Sequence, residues 1–206
     1  MEKISDIKTL TEEELKNWLK EVGEKPFRAD QIRNRLFCGQ VKSFDAMETI
    51  PAALREKLSA NFRITSLEEA KRLLSEDGTV KWLYRTHDGH HIETVLIPTN
   101  DRFSVCVSTQ IGCAQNCAFC RTAKMGFIRN LEAGEILEEI IRVNWYLEET
   151  GTKHSDGSLA KVTNIIFMGM GEPLNNLEQV HRVCCTLHHQ KLFNLGRKRM
   201  TISTSG

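Results

Sequence analysis

The chain has 206 residues, 40% of them hydrophobic and 27% charged, which is typical of a globular protein and excludes a disordered or fibrous one. Its formal net charge of +1 neither requires nor excludes a nucleic-acid partner. No apolar run reaches the roughly 18 residues of a membrane-spanning helix, and the N-terminus lacks the apolar core of a signal peptide. We therefore expect a cytoplasmic protein with no membrane partner, in which clustered cysteines indicate a metal or catalysis rather than disulfides.

Residues 1–62 have the pattern of a small helical domain. Thr11 followed by Glu14 predicts a capping box, which opens a helix over "EEELKNWLKEVG" that ends at Gly23. A second helix is predicted around residues 27–37. A third is predicted to begin at Pro51, since proline is favoured in the first helical turn.

The pattern changes over residues 63–98. Two Asp-Gly pairs, Asp77-Gly78 and Asp88-Gly89, separate runs of residues that favour strands. Asp-Gly between such runs is a strong signal for a tight hairpin turn. This part of the chain is predicted to be a three-stranded β meander.

Residues 99–206 alternate between strands and helices. "FSVCVST" is predicted to be a strand, "AGEILEEIIRVNWYLEET" a long helix, and "VTNIIFMG" a strand buried on both faces. "NLEQVHRVCCTLHHQKL" and "RMTIST" continue with a helix and a strand. The fold class is therefore α/β with a parallel sheet, open or closed into a barrel. Since about three βα units cannot close a barrel, we expect the N-terminal part of a longer protein.

Four of the seven cysteines lie between Cys106 and Cys120. Cys113, Cys117 and Cys120 form the spacing C-x3-C-x2-C in a loop that follows a strand. Three thiolates can hold a [4Fe–4S] cluster and leave its fourth iron open to a substrate. Two alternatives stand beside this one: three structural thiols, or a zinc site completed by a remote histidine or cysteine. The remaining Cys38, Cys184 and Cys185 are predicted to be structural.

The spacing resembles the radical S-adenosylmethionine (SAM) superfamily motif, in which an aromatic residue precedes the last cysteine, as Phe119 does here. The resemblance implies that SAM binds the open iron. "FMGMGEPL" resembles the superfamily's GGE motif, in which Gly169, Gly171 and Glu172 would contact SAM. "STSG" resembles the segment whose serine meets SAM, and Ser203 is preferred over Ser205.

Three longer segments resemble one family within the superfamily, the RlmN-type RNA adenine-C2 methyltransferases. They are "IETVLIP", "CVSTQIGCAQNCAFCRTAKMGFIRNL" and "GMGEPLNN", with Thr109 where a serine is more usual. The resemblance implies a partial radical-SAM barrel preceded by a helical RNA-binding domain, and methylation of an adenine C2 in 23S rRNA and tRNA. The sister family that methylates adenine C8 is the nearest alternative, and Pro173 favours C2.

The family resemblance also implies roles for Cys106 and Glu93. In that family one SAM methylates a cysteine nearer the C-terminus, which this chain does not contain, and a second SAM supplies a radical. Cys106 would resolve the protein–RNA adduct through a disulfide, and Glu93 would accept a proton. A reductant such as a flavodoxin and a monomeric state are expected. The remaining alternatives are another radical-SAM enzyme, such as a maturase, and a zinc-bound RNA-binding module.

Overall fold

The computed structural model describes residues 5–39 and 41–206. The first four residues of the predicted helical domain, and Gln40 within it, lie outside this description. No helix among the described residues is both long and apolar enough to cross a membrane.

The N-terminal part is helical, as predicted, and is closed by a short parallel strand pair that the sequence did not reveal. Strand β1 pairs with β2, which follows the third helix. The elements in chain order are β1 (Ser5–Asp6), α1 (Glu12–Glu21), α2 (Arg28–Phe37), α3 (Ala52–Asn61) and β2 (Phe62–Arg63). One continuous hydrophobic core joins these helices to the rest of the chain, with Leu19, Leu54 and Leu58 fully buried in it.

The predicted capping box at the start of α1 is confirmed. The Thr11 hydroxyl accepts a hydrogen bond from the Glu14 amide at 3.2 Å, and the Glu14 carboxylate accepts one from the Thr11 amide at 2.7 Å. The same carboxylate accepts from Arg182 at 2.7 Å. The hydrogen bond from Arg182 is the largest cause of the lowered pKa of Glu14, about 2.

We expect Thr11→Ala to lower the free energy of unfolding by about 1 kcal/mol, since alanine cannot accept the Glu14 amide. Urea denaturation monitored by far-UV circular dichroism measures the change. Thr11→Ser keeps the hydroxyl and should lie within about 0.5 kcal/mol of the parent protein. Equal losses in both variants would contradict the assignment of the cap.

The predicted meander is confirmed as three antiparallel strands, but it is continuous with the later strands in one six-stranded mixed sheet. Its members in chain order are β3 (Glu68–Leu74), β4 (Val80–Arg85), β5 (His91–Thr99), β6 (Arg102–Cys106), β9 (Asn164–Phe167) and β10 (Met200–Ile202). Their order across the sheet is β10-β9-β6-β5-β4-β3. Pairing is antiparallel from β3 to β6 and parallel from β6 to β10. Over the described residues the sheet does not close into a barrel.

Two helices cover the parallel half of the sheet, namely α4 (Ala133–Glu149) and α5 (Leu177–His188). A separate two-stranded antiparallel ribbon follows β6 in the chain and consists of β7 (Gln110–Gly112) and β8 (Phe127–Asn130). The four residues predicted to face inward from α4, namely Ile136, Ile140, Ile141 and Leu147, are all buried. The α/β class with parallel βα units is therefore confirmed.

One strand prediction was wrong. Strand β9 was expected to be buried on both faces, but only Ile165 and Phe167 are buried, whereas Asn164 and Ile166 are half-exposed. Helices cover one face of β9. The other face, which includes Ile166, lies beside Cys106 of β6, directly across the pair. This second face is where the candidate site lies.

Candidate metal centre and active site

The cysteine loop is held at its base by the β7–β8 ribbon. Strand β7 ends at Gly112, where φ is +74°, and the amide of Cys113 then donates to the carbonyl of Gly126 at 3.0 Å. A Cβ atom on Gly112 would lie 1.7 Å from that carbonyl oxygen. Only glycine therefore fits at the point where the chain enters the loop.

The three predicted ligand cysteines are free thiols within one short loop. Cys113 is buried, and Cys117 and Cys120 are half-buried. The Cys120 amide donates to the Cys117 carbonyl at 3.0 Å, which folds the second half of the loop into a turn. Hydrogen bonds to the Cys120 sulfur, first from the Ala123 amide and then from Thr122, lower the pKa of its thiol.

This donor set fits an iron–sulfur cluster. All three groups are soft thiols, and hydrogen bonding favours the thiolate form of one of them. Among the described residues, no three His, Cys, Asp or Glu side chains are placed to hold a single metal ion. A cubane cluster takes one thiolate at each of several irons, so it does not require three groups to converge on one point.

The surface around the loop is unusually apolar. Phe119, which precedes the last cysteine, is 93% exposed, and Met125 and Met168 are each more than half exposed. Phe127 and Ile128, on the returning strand β8, are also exposed. A cluster of exposed apolar side chains marks a surface that a ligand or another protein segment covers.

Gly169 and Gly171 lie directly after β9, but in this structure they are required by packing within the chain. A Cβ atom on Gly169 would lie 2.7 Å from the backbone of Val107. One on Gly171, where φ is +100°, would lie 2.5 Å from the side chain of Gln110. The glycines were expected to admit a ligand, whereas the close approach observed here is to the segment that leads into the cysteine loop.

Glu172 is buried and hydrogen-bonded at the ends of two strands. Its amide donates to Gln110 at 2.8 Å, and its carboxylate accepts from the Leu174 amide at 3.1 Å. The Ser205 amide and hydroxyl also donate to the carboxylate, at 3.0 and 3.2 Å. Burial raises the pKa of Glu172, but these hydrogen bonds outweigh burial and lower it overall. Glu172 is therefore an ionised carboxylate next to β7, the strand that leads into the cysteine loop.

The serine that contacts Glu172 is Ser205, whereas Ser203 was the preferred candidate. Ser203 is half-exposed and follows strand β10 directly. Its role in binding SAM stays a prediction, and the geometry adds Ser205 as a second candidate.

Cys106 and Glu93 lie on one face of the sheet. Cys106 is paired across the strands with Val95, and Glu93 is two residues from Val95 on the same side of β5. Burial, followed by the nearby carboxylate of Glu139, raises the pKa of Cys106 to about 11. The Glu93 carboxylate is 2.6 Å from the Lys81 ammonium. The structure thus places a thiol with a raised pKa and a carboxylate on one face of the sheet, and the roles of Cys106 and Glu93 stay predictions.

Two residues of this region were missed by the sequence analysis. Glu139 of α4 is fully buried, and its carboxylate accepts from the Thr94 hydroxyl and the Ser108 amide. Ser108 is also buried, and its hydroxyl donates to the Glu93 carbonyl at 2.7 Å and accepts from the Met170 amide at 3.0 Å. Ser108 therefore links the Glu93 strand to the glycine loop. The one sequence signal was the position of Glu139, directly before Ile140 on the inward face of the helix.

Of the three cysteines predicted to be structural, only Cys184 is partly buried, and burial raises the pKa of its thiol to about 11. Cys38 and Cys185 are exposed. A structural cysteine is normally buried, but the exposed Cys185 has its sulfur 3.6 Å from His181 Nε2.

Comparison with known proteins gives matches over nearly the whole chain. Residues 5–64 match the family described as the ribosomal RNA large subunit methyltransferase N-terminal domain. A probable dual-specificity RNA methyltransferase RlmN of Bacillus pumilus is 44% identical over 94% of the chain and 51% of its own length. The dual-specificity RNA methyltransferase RlmN of Anaeromyxobacter dehalogenans is 43% identical over 98% of the chain and 53% of its own length.

A solved structure also matches nearly the whole chain. The crystal structure of a radical SAM methyltransferase from Sphaerobacter thermophilus superposes with a TM-score of 0.87 at 39% identity, over 98% of this chain and 57% of that one. Together with the three-cysteine loop between β7 and β8, this likeness identifies the fold as that of a radical SAM methyltransferase. The sequence matches narrow the class further, and the chain belongs to the RlmN family. It spans about half the length of the curated relatives it matches.

Proposed function

We propose that this chain is part of a radical SAM enzyme that methylates C2 of an adenine in 23S rRNA and in tRNA. The observation that carries the proposal is a loop with three free thiols between β7 and β8, next to a buried Glu172 whose amide bonds to Gln110 of β7 and whose pKa is lowered. In this proposal β6, β9 and β10 are the first strands of a partial parallel barrel. The names of the relatives, which are RNA methyltransferases, support the substrate class.

Cys113, Cys117 and Cys120 would hold a [4Fe–4S] cluster that leaves one iron open. When bound, the cluster would supply a single electron to SAM. Glu172, with Gly169, Gly171 and one of the serines Ser203 and Ser205, would orient SAM. A carboxylate that already accepts backbone and hydroxyl hydrogen bonds is pre-organised to accept another from an ammonium group.

Cys106 and Glu93 would act at the RNA base. The Cys106 thiol has a raised pKa and therefore stays protonated until a base activates it. Glu93, on the same face of the sheet, would accept a proton, and its contact with Lys81 fixes the position of its carboxylate. The cysteine that carries the methyl group would belong to a segment outside this chain, and a second SAM would supply that methyl group.

The helical part, residues 1–62, would bind RNA, since residues 5–64 match a domain named for ribosomal RNA methyltransferases. Near the cysteine loop, Arg121 and Lys124 are exposed and would face phosphates. The adenine would have to be splayed out of its RNA stack to reach the site. We further propose a cytoplasmic monomer reduced by a flavodoxin-like partner.

The test is anaerobic reconstitution of the chain with iron and sulfide, followed by reduction and electron paramagnetic resonance with and without SAM. We expect a [4Fe–4S] signal that changes when SAM is added, because SAM would bind the open iron. Cys117→Ser should lose the signal, and Cys38→Ser, a change at an exposed cysteine outside the loop, should keep it.

A signal that is indifferent to SAM would contradict the open iron in this chain. Zinc bound in place of iron would contradict the proposal as a whole and favour a zinc-bound RNA-binding module.

A further inference from the structure

Arg129 lies on β8, the strand by which the chain leaves the cysteine loop, and each of its five N–H groups has an acceptor. Two donate to the Asp88 carboxylate at 2.7 and 3.0 Å. Two donate to the Glu135 carboxylate at 2.7 and 2.8 Å, and the fifth to the Asn130 carbonyl at 3.1 Å. Its guanidinium is therefore fully engaged within the chain.

The two carboxylates belong to different elements. Asp88 lies in the Asp-Gly turn between β4 and β5 of the meander, and its pKa is held well below the usual range, chiefly by its hydrogen bonds from Arg129. Glu135 lies in the first turn of α4, is fully buried, and also accepts from the Glu132 amide at 2.9 Å. Arg129 therefore connects the β7–β8 ribbon both to the meander and to α4.

Little apolar burial holds this strand in place. Phe127 and Ile128 are each about half exposed, and Asn130 is exposed. Strand segments with few buried apolar contacts open locally at low free energy. Paired two-point contacts between arginine and carboxylates are among the stronger polar interactions, and they fix direction as well as distance.

We propose that Arg129 is a positioning residue for the cysteine loop, and that the meander turn at Asp88 serves as its support. The proposal rests on the proposed function insofar as the loop holds a cluster. It assigns to residues 63–98 a role in supporting the metal centre. It also gives Arg129 a different role from the exposed Arg121 and Lys124, which would face RNA phosphates.

The decisive variants are Asp88→Asn and Arg129→Lys, with Arg85→Gln as the matched control. Asp88→Asn keeps the size of the side chain but removes the charge, and Arg129→Lys keeps the charge but removes the planar fork. Arg85 of β4 forms an ion pair with Glu68 of β3, so its partner lies in the meander and not in the β7–β8 ribbon.

The first measurement is the rate at which reconstituted protein loses its cluster absorbance to a chelator under anaerobic conditions. We expect about tenfold faster loss in both Arg129→Lys and Asp88→Asn, since each removes charge-assisted hydrogen bonds that hold the ribbon. Arg85→Gln should match the parent protein. Equal rates in all four proteins would overturn the proposal.

The second measurement needs no iron. Hydrogen–deuterium exchange of the apo chain should be faster over residues 110–130 in both clamp variants, Asp88→Asn and Arg129→Lys, and unchanged over α1 to α3. Faster exchange throughout the chain would mean a general loss of stability and would overturn the assigned role. If the parent protein takes up no cluster, the proposed function fails, but the exchange experiment still decides whether Arg129 positions the loop.

Discussion

Replacing Gly112 by alanine is expected to abolish uptake of the iron–sulfur cluster by this chain while leaving its helical N-terminal part folded. The alanine Cβ would lie 1.7 Å from the Gly126 carbonyl oxygen, which accepts the amide of Cys113. The φ of +74° adds strain of about 1–2 kcal/mol for any residue with a Cβ. The ribbon must therefore open at the residue that precedes the first ligand cysteine. Iron and sulfide analysis after anaerobic reconstitution measures the effect.

Gly157→Ala is the matched control for this variant. Gly157 also has a positive φ, of +83°, but a Cβ atom there would meet nothing within 4 Å, and the residue belongs to the turn between α4 and β9. It should lose stability through strain alone and load iron and sulfide as the parent protein does. Full loading of Gly112→Ala would show that the loop binds its ligand without the observed ribbon.

Local sequence signals were sufficient for the elements that depend on local interactions. The capping box at Thr11, the helix start after Pro51 and the two Asp-Gly turns all depend on residues within four positions of one another. The inward face of α4 followed from its periodicity, since Ile136, Ile140 and Leu147 recur at helical spacing.

The missed elements depend on contacts between distant residues. Strand β1 has two residues and pairs with β2 nearly sixty positions later, so no local pattern marks it. The β7–β8 ribbon is also short, with strands of three and four residues that do not alternate regularly between polar and apolar residues. The half-exposure of Ile166 follows from which face of β9 the helices cover, and composition does not encode that choice.

The residues of the candidate site likewise fall into a predictable local group and an unpredictable distant group. The spacing of Cys113, Cys117 and Cys120 could be recognised in the sequence because all three predicted ligands lie in one loop. The sequence did not predict the contact of Arg129 with Asp88 or that of Glu172 with Ser205, because each joins residues more than thirty positions apart. The burial of Glu139 was also missed, since a glutamate in an acidic segment is normally exposed.

Replacing Glu139 by glutamine is expected to stabilise the fold increasingly as the pH rises above about 5, where unfolded glutamate ionises. Burial raises the pKa of Glu139 well above its ordinary value, so the folded state keeps a proton that the unfolded state releases. The contribution of Glu139 to the free energy of unfolding is therefore fully present below the unfolded-state pKa. It falls as the pH rises toward the folded-state pKa, by at most about 1.4 kcal/mol per pH unit. Glutamine removes this loss and can still accept from the Ser108 amide and the Thr94 hydroxyl.

The neighbouring Glu138 supplies a control with the opposite sign. It is also buried, but it forms ion pairs with the buried Lys8 and with Arg142, so Glu138→Gln leaves the Lys8 ammonium without its countercharge. We expect that variant to lose up to about 3 kcal/mol across neutral pH. Urea denaturation of both variants and the parent protein at several pH values between 5 and 8 decides the matter. A Glu139→Gln variant whose advantage over the parent protein does not grow with pH would mean that Glu139 is ionised in the folded chain.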